Sequence, residues 1–181
     1  TANLMSSENR RAELIERIAD HLLDHGLAGA SLRPMAAAAG TSDRMLLYYF
    51  PDREAVLTAV LEKIAADMAA GLDAAIRPGP LPSAPLLKEL RAATQVPAFG
   101  RYMQLWLEVA SRAARNEPPY RAVGEAIGRG FLAWATAHLQ VNRGEDAQAR
   151  ATLLLAILDG LALMDSVGLT PLADAAAETV G

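Results

Sequence analysis

Residues 31–56, SLRPMAAAAGTSDRMLLYYFPDREAV, gather the side chains with the most usable chemistry in this 181-residue chain. Ser31, Thr41 and Ser42 carry hydroxyls that both donate and accept. Arg33, Arg44 and Arg53 carry guanidinium forks, matched to phosphate oxygens or, at Arg44, to the paired acceptors on a guanine edge. Met45 can touch a thymine methyl, and Tyr48 and Tyr49 close the run with two phenols that reach backbone or bases. Asp43 has two readings: it accepts from a cytosine amino group, or its charge favours the first turn of a helix without any outside partner.

Such groups act together only if local structure aims them. Upstream, Leu14, Ile15, Ile18, Ala19 and Leu22 recur at helical spacing and Gly26 follows where a helix would end, predicting a first amphipathic helix over 8–25. Ser31 places a hydroxyl at the next N-cap and Pro34 falls in the first turn, so a short second helix should run to Ala39 and stop at Gly40. Thr41 and Ser42 can cap a third helix through Tyr48 or Tyr49, broken by Phe50-Pro51-Asp52. The result is helix, glycine-containing turn, helix, with Ala36, Ala37, Ala38 and Ala39 letting the two helices approach closely. A helix entering the major groove needs that tight turn, those small residues and polar groups at its N-terminal end.

The same positions resemble the DNA-binding half of the TetR-like family of transcriptional regulators: Ser31-Leu32-Arg33, Ala38-Ala39-Gly40, Ser42, Leu46, Tyr49-Phe50 and Asp52-Arg53-Glu54-Ala55, preceded by Leu22-Leu23 and Gly26. The resemblance covers about the first third of the chain. It implies a homodimer that binds a palindromic double-stranded DNA operator and is released by a small-molecule effector, with Ser31, Thr41, Ser42 and Arg53 positioning phosphates. Three positions depart from the family pattern, Asp43 being acidic where a neutral or basic residue is common. Arg53 stands where the family more often has Lys, and Leu47 stands where it usually has Tyr, with Tyr48 one position later. The phosphate contact of that Tyr is therefore not carried over.

Downstream, Val56, Leu57, Val60, Leu61, Ile64, Met68 and Leu72 form one stripe of a connecting helix over about 52–76. Residues 77–85, RPGPLPSAP, cannot continue it and read as a loop. Further helices are expected at about 86–95, 98–115, 118–140 and 145–168, with no competing strand pattern. The fold class is therefore all-α: a three-helix helix-turn-helix DNA-binding domain over 1–51, followed by a helical ligand-binding and dimerisation domain over 52–181.

Phe99, Tyr102, Met103, Trp106, Leu107 and Glu108 share the helix expected over 98–115, and Phe131 and Trp134 lie on the next. They either enclose a small apolar ligand, oriented by Tyr102, Gln104, Glu108 or the tryptophan N–H groups, or form an ordinary core. The last long helix is apolar almost all round, which calls for a second surface. Leu153, Leu154, Ile157, Gly160, Leu161 and Met164 are the expected seam with a partner subunit, a central helix in a monomer being the alternative. Asp159 and Asp165 interrupt that helix, which disfavours a membrane span; they could bind a cationic ligand, or more simply pair with Arg150 or Arg129 or lie on an exposed face.

Other chemistry is excluded or weak. No Cys is present, so thiolate metal sites, disulfides and cysteine catalysis are ruled out, and no catalytic triad, phosphate loop or paired-carboxylate motif points to an enzyme. His21, Asp24 and His25 lie one helical turn apart without a further ligand cluster; His25 more simply complements the end of the first helix, and neither metal nor cofactor is expected. Seventeen Lys plus Arg against 21 Asp plus Glu give a net charge of −4. Residues 1–63 hold seven basic and nine acidic side chains, so any DNA contact is local rather than bulk. Arg10 and Arg11, just ahead of the apolar stripe that opens the first helix at Leu14, could add phosphate or minor-groove contacts or form a solvated N-terminal turn. The opening residues 1–7 lack a basic-then-apolar pattern, so a cytoplasmic location is the expectation.

Overall fold

The helical periodicities close into α1 (Ala2–His25), a 3-10 turn (Gly26–Gly29), α2 (Leu32–Ala38), α3 (Asp43–Tyr49), α4 (Arg53–Ala75), α5 (Ser83–Thr94), α6 (Pro97–Ala114), α7 (Tyr120–His138), α8 (Ala147–Ser166) and α9 (Thr170–Thr179). The computed structural model describes residues 2–179, with side chains from residue 7 onward. Thr1, the first residue of the expected reading head, and Val180 and Gly181, the last of the expected second domain, lie outside them. Among the described residues the fold is all-α, and β pairing is limited to an isolated bridge between Leu81 and Leu139.

Four features differ from the sequence expectation. α1 begins at Ala2, six residues ahead of the expected start. Pro85 does not end the loop but lies in the first turn of α5, where a missing N–H leaves no helical bond unmade. The 3-10 turn and α9 were not expected. In α9, Pro171 reads as a breaker yet occupies the first turn, where it is tolerated for the same reason.

The chain divides into two compact units, one of residues 1–66 with 104–124 and one of 67–103 with 125–181. In the first, Leu14, Ile18 and Leu22 of α1, Met35 of α2, Leu46 of α3 and Val56, Leu57 and Val60 of α4 are buried, as are Leu105 and Val109 of α6. The apolar stripes read from the sequence thus converge on one core that fixes α2 and α3.

The second unit packs Leu72 of α4 and Ile76 just beyond it, Leu86, Leu87 and Leu90 of α5, Ala135 of α7, Leu154 and Leu161 of α8 and Ala173 of α9. Arg91 of α5, 8% exposed, is buried with them. Its Nη2 donates to Asp165 Oδ1 at 2.9 Å and to Asp174 Oδ1 at 2.8 Å, its Nη1 also pairs with Asp165, and Gln95 Nε2 donates to Asp165 Oδ2 at 3.0 Å. The Arg91 hydrogen bonds hold the Asp165 carboxyl below its ordinary pKa, and the same bonds, donated to Asp165, raise that of the guanidinium. The partner of Asp165 is therefore Arg91, not Arg150 or Arg129, which instead bond Glu145 and Glu125.

The expected seam on α8 needs a correction. Leu154 and Leu161 are buried in the core of their own unit, and Ile157 and Met164 pack against it half-buried. Leu153, 55% exposed, and Gly160, whose missing side chain faces open space, lie on the other face with Leu163, 53% exposed. An all-round apolar helix has two stripes, and the expected seam mixed residues of both. By length and composition α8 could cross a membrane, and little of it is buried within the chain.

Candidate nucleic-acid interface

The turn between α2 and α3 is set by Gly40, at φ +65°. Thr41 N–H donates to Ala36 O at 2.9 Å and Gly40 N–H to Ala37 O at 3.0 Å, the paired bonds that finish a helix through a left-handed residue. The next helix starts two residues later. Ser42 is its N-cap, with Oγ accepting from Met45 N–H at 3.2 Å, which leaves the hydroxyl proton to donate outward. Ser31 also occupies an N-cap, that of α2, but its hydroxyl makes no capping bond there and is exposed.

Seven residues form α3, and its two faces are sharply different. Leu46 is completely buried and Phe50, just beyond, nearly so. Ser42, Asp43, Arg44, Met45, Leu47 and Tyr48 are exposed, Tyr48 by 75% and Met45 by 45%, while Tyr49 is half-buried with its ring edge-on to Tyr48 at 5.2 Å. Asp43 sits in the first turn, where its charge is favourable, while the cap itself is Ser42. Arg33 on α2 is exposed and Thr41 half-buried. The structure therefore brings Ser42, Arg44, Met45 and Tyr48 onto one exposed helix, held from beneath by Leu46.

Other basic residues serve the fold. Arg53 Nε donates to Ala30 O at 2.9 Å, tying the start of α4 to the corner before α2, a role its likeness to a phosphate-positioning residue did not suggest. Arg10 and Arg11 lie within α1, not ahead of it. Arg10 pairs with Glu13 at 2.8 Å, and the Arg11 guanidinium stacks 4.6 Å from the Phe50 ring centre. His25 Nδ1 is 2.9 Å from His21 O, closing the end of α1, and the two imidazoles stack at 4.4 Å. Gly29 admits His21, whose Nε2 would stand 2.6 Å from a Cβ there and is itself buried without a partner. Among the described residues, no group of three or more His, Asp or Glu is gathered for a metal.

The residues expected to face a ligand are divided between the two units, with Trp106, Leu107 and Glu108 in the first and Phe99, Tyr102, Met103, Phe131 and Trp134 in the second. Glu108 is not free to orient a ligand, because its Oε2 accepts from Leu27 N–H at 2.8 Å. Trp134 Nε1 is likewise committed, donating to Asp73 Oδ1 at 2.7 Å while the indole stacks on His138 at 4.2 Å. Phe99 passes over Gly71, where any side chain would collide with it at 2.9 Å, and lies 6.0 Å from Tyr102. No sequence signal marked Glu108 as a strut, since its partner is a backbone amide.

A helix-turn-helix whose second helix presents its polar face, opening an all-helical chain, defines the class. The chain has the TetR-like fold, as comparison with solved structures shows. A TetR-family transcriptional regulator from Cytophaga hutchinsonii superposes with a TM-score of 0.71 at 17% identity, over 96% of this chain and 92% of that one. A transcriptional regulator from Rhodococcus sp. Rha1 gives 0.68 at 27% identity, over 90% and 86%. The Bacillus subtilis transcriptional regulator FadR, solved with stearoyl-CoA, gives 0.60 at 14% identity, over 92% and 95%. No family model matches the chain, and no curated protein matches it by sequence.

Proposed function

We propose that this protein is a homodimeric, sequence-specific DNA-binding regulator, a cytoplasmic repressor released from a palindromic operator by a small molecule, and not an enzyme. The observation that carries the reading is the exposed face of α3, where Ser42, Arg44, Met45 and Tyr48 stand over buried Leu46. Arg44 donates to a guanine edge, Met45 meets a thymine methyl, and Ser31, Arg33, Thr41, Ser42 and Tyr49 position the phosphates.

Dimerisation places two such helices on one side of a duplex, about one helical turn or 34 Å apart. The surface supporting it is the outer stripe of α8, Leu153, Ala156, Gly160 and Leu163, continued by Val167 at its C-cap, at alternating three- and four-residue spacing. Leu172, exposed on α9, extends the apolar area. The effector is assigned to the second unit, where Phe99, Tyr102, Met103, Phe131 and Trp134 supply apolar faces for an organic ligand. Ligand favours a state whose paired heads are wrongly spaced for the operator, with α4 as the lever.

A second reading is a ligand carrier without operator binding. It is favoured by Leu47, exposed on the reading helix at a position where a phosphate-binding Tyr is the family habit. Selection of bound duplexes from a random DNA pool at fixed moderate salt decides between them. A palindromic consensus supports the regulator; a folded dimer that enriches nothing over non-specific binding supports the carrier.

A further inference from the structure

The seven basic side chains of residues 1–63 separate by what they touch. Arg10 pairs with Glu13, Lys63 with Glu16, Arg11 covers Phe50 and Arg53 bonds Ala30. Arg17, Arg33 and Arg44 remain, and none of the three has an ion pair, hydrogen bond or ring contact among the described residues. Arg33 and Arg44 already belong to the interface. Arg17 comes from a different element, and nothing in the sequence pattern separated it from the solvated face of α1.

Its position is specific. Arg17 is exposed, and its Nη1 stands 3.0 Å from where a Cβ on Gly40 would be. Gly40 is the left-handed residue of the turn, two positions ahead of the Ser42 cap. A guanidinium from α1 is thus laid along the turn that leads into the reading helix, with no carboxylate neutralising it. An exposed, unpaired arginine adds little to folding, whereas its donors remain available to an acceptor outside the chain. In a head where acidic side chains outnumber basic ones, nine to seven, such a group carries a disproportionate share of the attraction to DNA.

We propose that Arg17 is a DNA-backbone contact, donating to a phosphate that flanks the groove entered by α3. The docking surface is then built from α1, α2 and α3, and the α1 contact fixes how deeply the turn approaches the duplex. This rests on the regulator reading above and adds a residue to it.

The test uses the full chain and the selected palindromic duplex, with affinity measured from about 50 to 200 mM salt. Arg17→Gln should weaken binding about fivefold at intermediate salt and lower the slope of log affinity against log salt by about 0.9 per protomer. The order of preference among base-substituted duplexes should not change. Arg17→Lys should restore the slope, because the charge returns, and Arg10→Gln should leave it at the wild-type value. A wild-type slope in Arg17→Gln overturns the proposal, even with lower affinity, because that pattern means only a disturbed turn. If the wild-type chain selects no palindrome, the regulator reading fails and this inference with it; if it selects one, the slope alone decides Arg17.

Discussion

The Leu27 amide donates to the Glu108 carboxylate at 2.8 Å, across 81 positions of sequence. Gly26, immediately before it, is at φ +63°, and a Cβ there would stand 2.4 Å from the same carboxylate. The end of α1 and the middle of α6 are thus fitted to one another through a glycine, an amide and one acid, all within the first unit. Replacing Glu108 by Ala leaves the amide without its charged acceptor and should cost about 1–2 kcal/mol of stability, read as a lowered denaturant midpoint. Glu108→Gln keeps an acceptor and should recover about half of the loss. A midpoint unchanged in both would remove the strut from the account.

Arg44 and Tyr48 are exposed and outside the core. Arg44→Ala should therefore leave thermal unfolding unchanged while weakening operator binding about 10–100-fold and relaxing preference at a single base pair. Effector affinity, measured by calorimetry, should not move in Arg44→Ala or in Tyr48→Ala.

Leu153 and Leu154 are neighbours with opposite duties. Leu153→Glu should produce a folded monomer by sedimentation, since the new charge lies on the outer stripe of α8. Leu154→Ala should instead keep the dimer and lose about 2–4 kcal/mol through a cavity in the core of the second unit. Equal behaviour of the two would refute the division of α8 into inner and outer faces.

The Arg91–Asp165 pair links stability to pH. Because hydrogen bonds from Arg91 depress the Asp165 pKa below its ordinary 3.8, the stabilisation is fully present above that value and is lost as pH falls through the lower folded one. Unfolding midpoints should drop below about pH 4, and Arg91→Met should flatten that part of the profile. Arg91→Ala, which strands two carboxylates and opens space beside Leu90, should be the more damaging at neutral pH, by about 3 kcal/mol.

Legibility followed the range of the interactions. The reading head was readable because its elements are short, locally capped and punctuated: Gly40 ends α2, Ser42 begins α3, and Leu46 marks the inner face within a single turn. The fold class and the likeness to TetR-like regulators came from the same local signals. What escaped depends on partners distant in sequence. Arg91 lies 74 residues from Asp165, so nearer arginines looked equally suitable. Glu108 bonds a main-chain group that carries no side-chain signature. On α8, both stripes are apolar, and periodicity cannot say which of two equivalent faces a chain keeps for itself.

The first compact unit draws on two separate stretches, 1–66 and 104–124, and Leu105 and Val109 from the second stretch are buried. Modular grafting is accordingly constrained. A hybrid made by splicing residues 1–51 onto a foreign sensor would inherit the reading helix but not the α6 side chains or the Glu108 acceptor. Engineers who wish to rewire this chain to a new signal would do better to exchange the lining of the second unit and leave both stretches intact, treating specificity for DNA as a property of a discontinuous cassette.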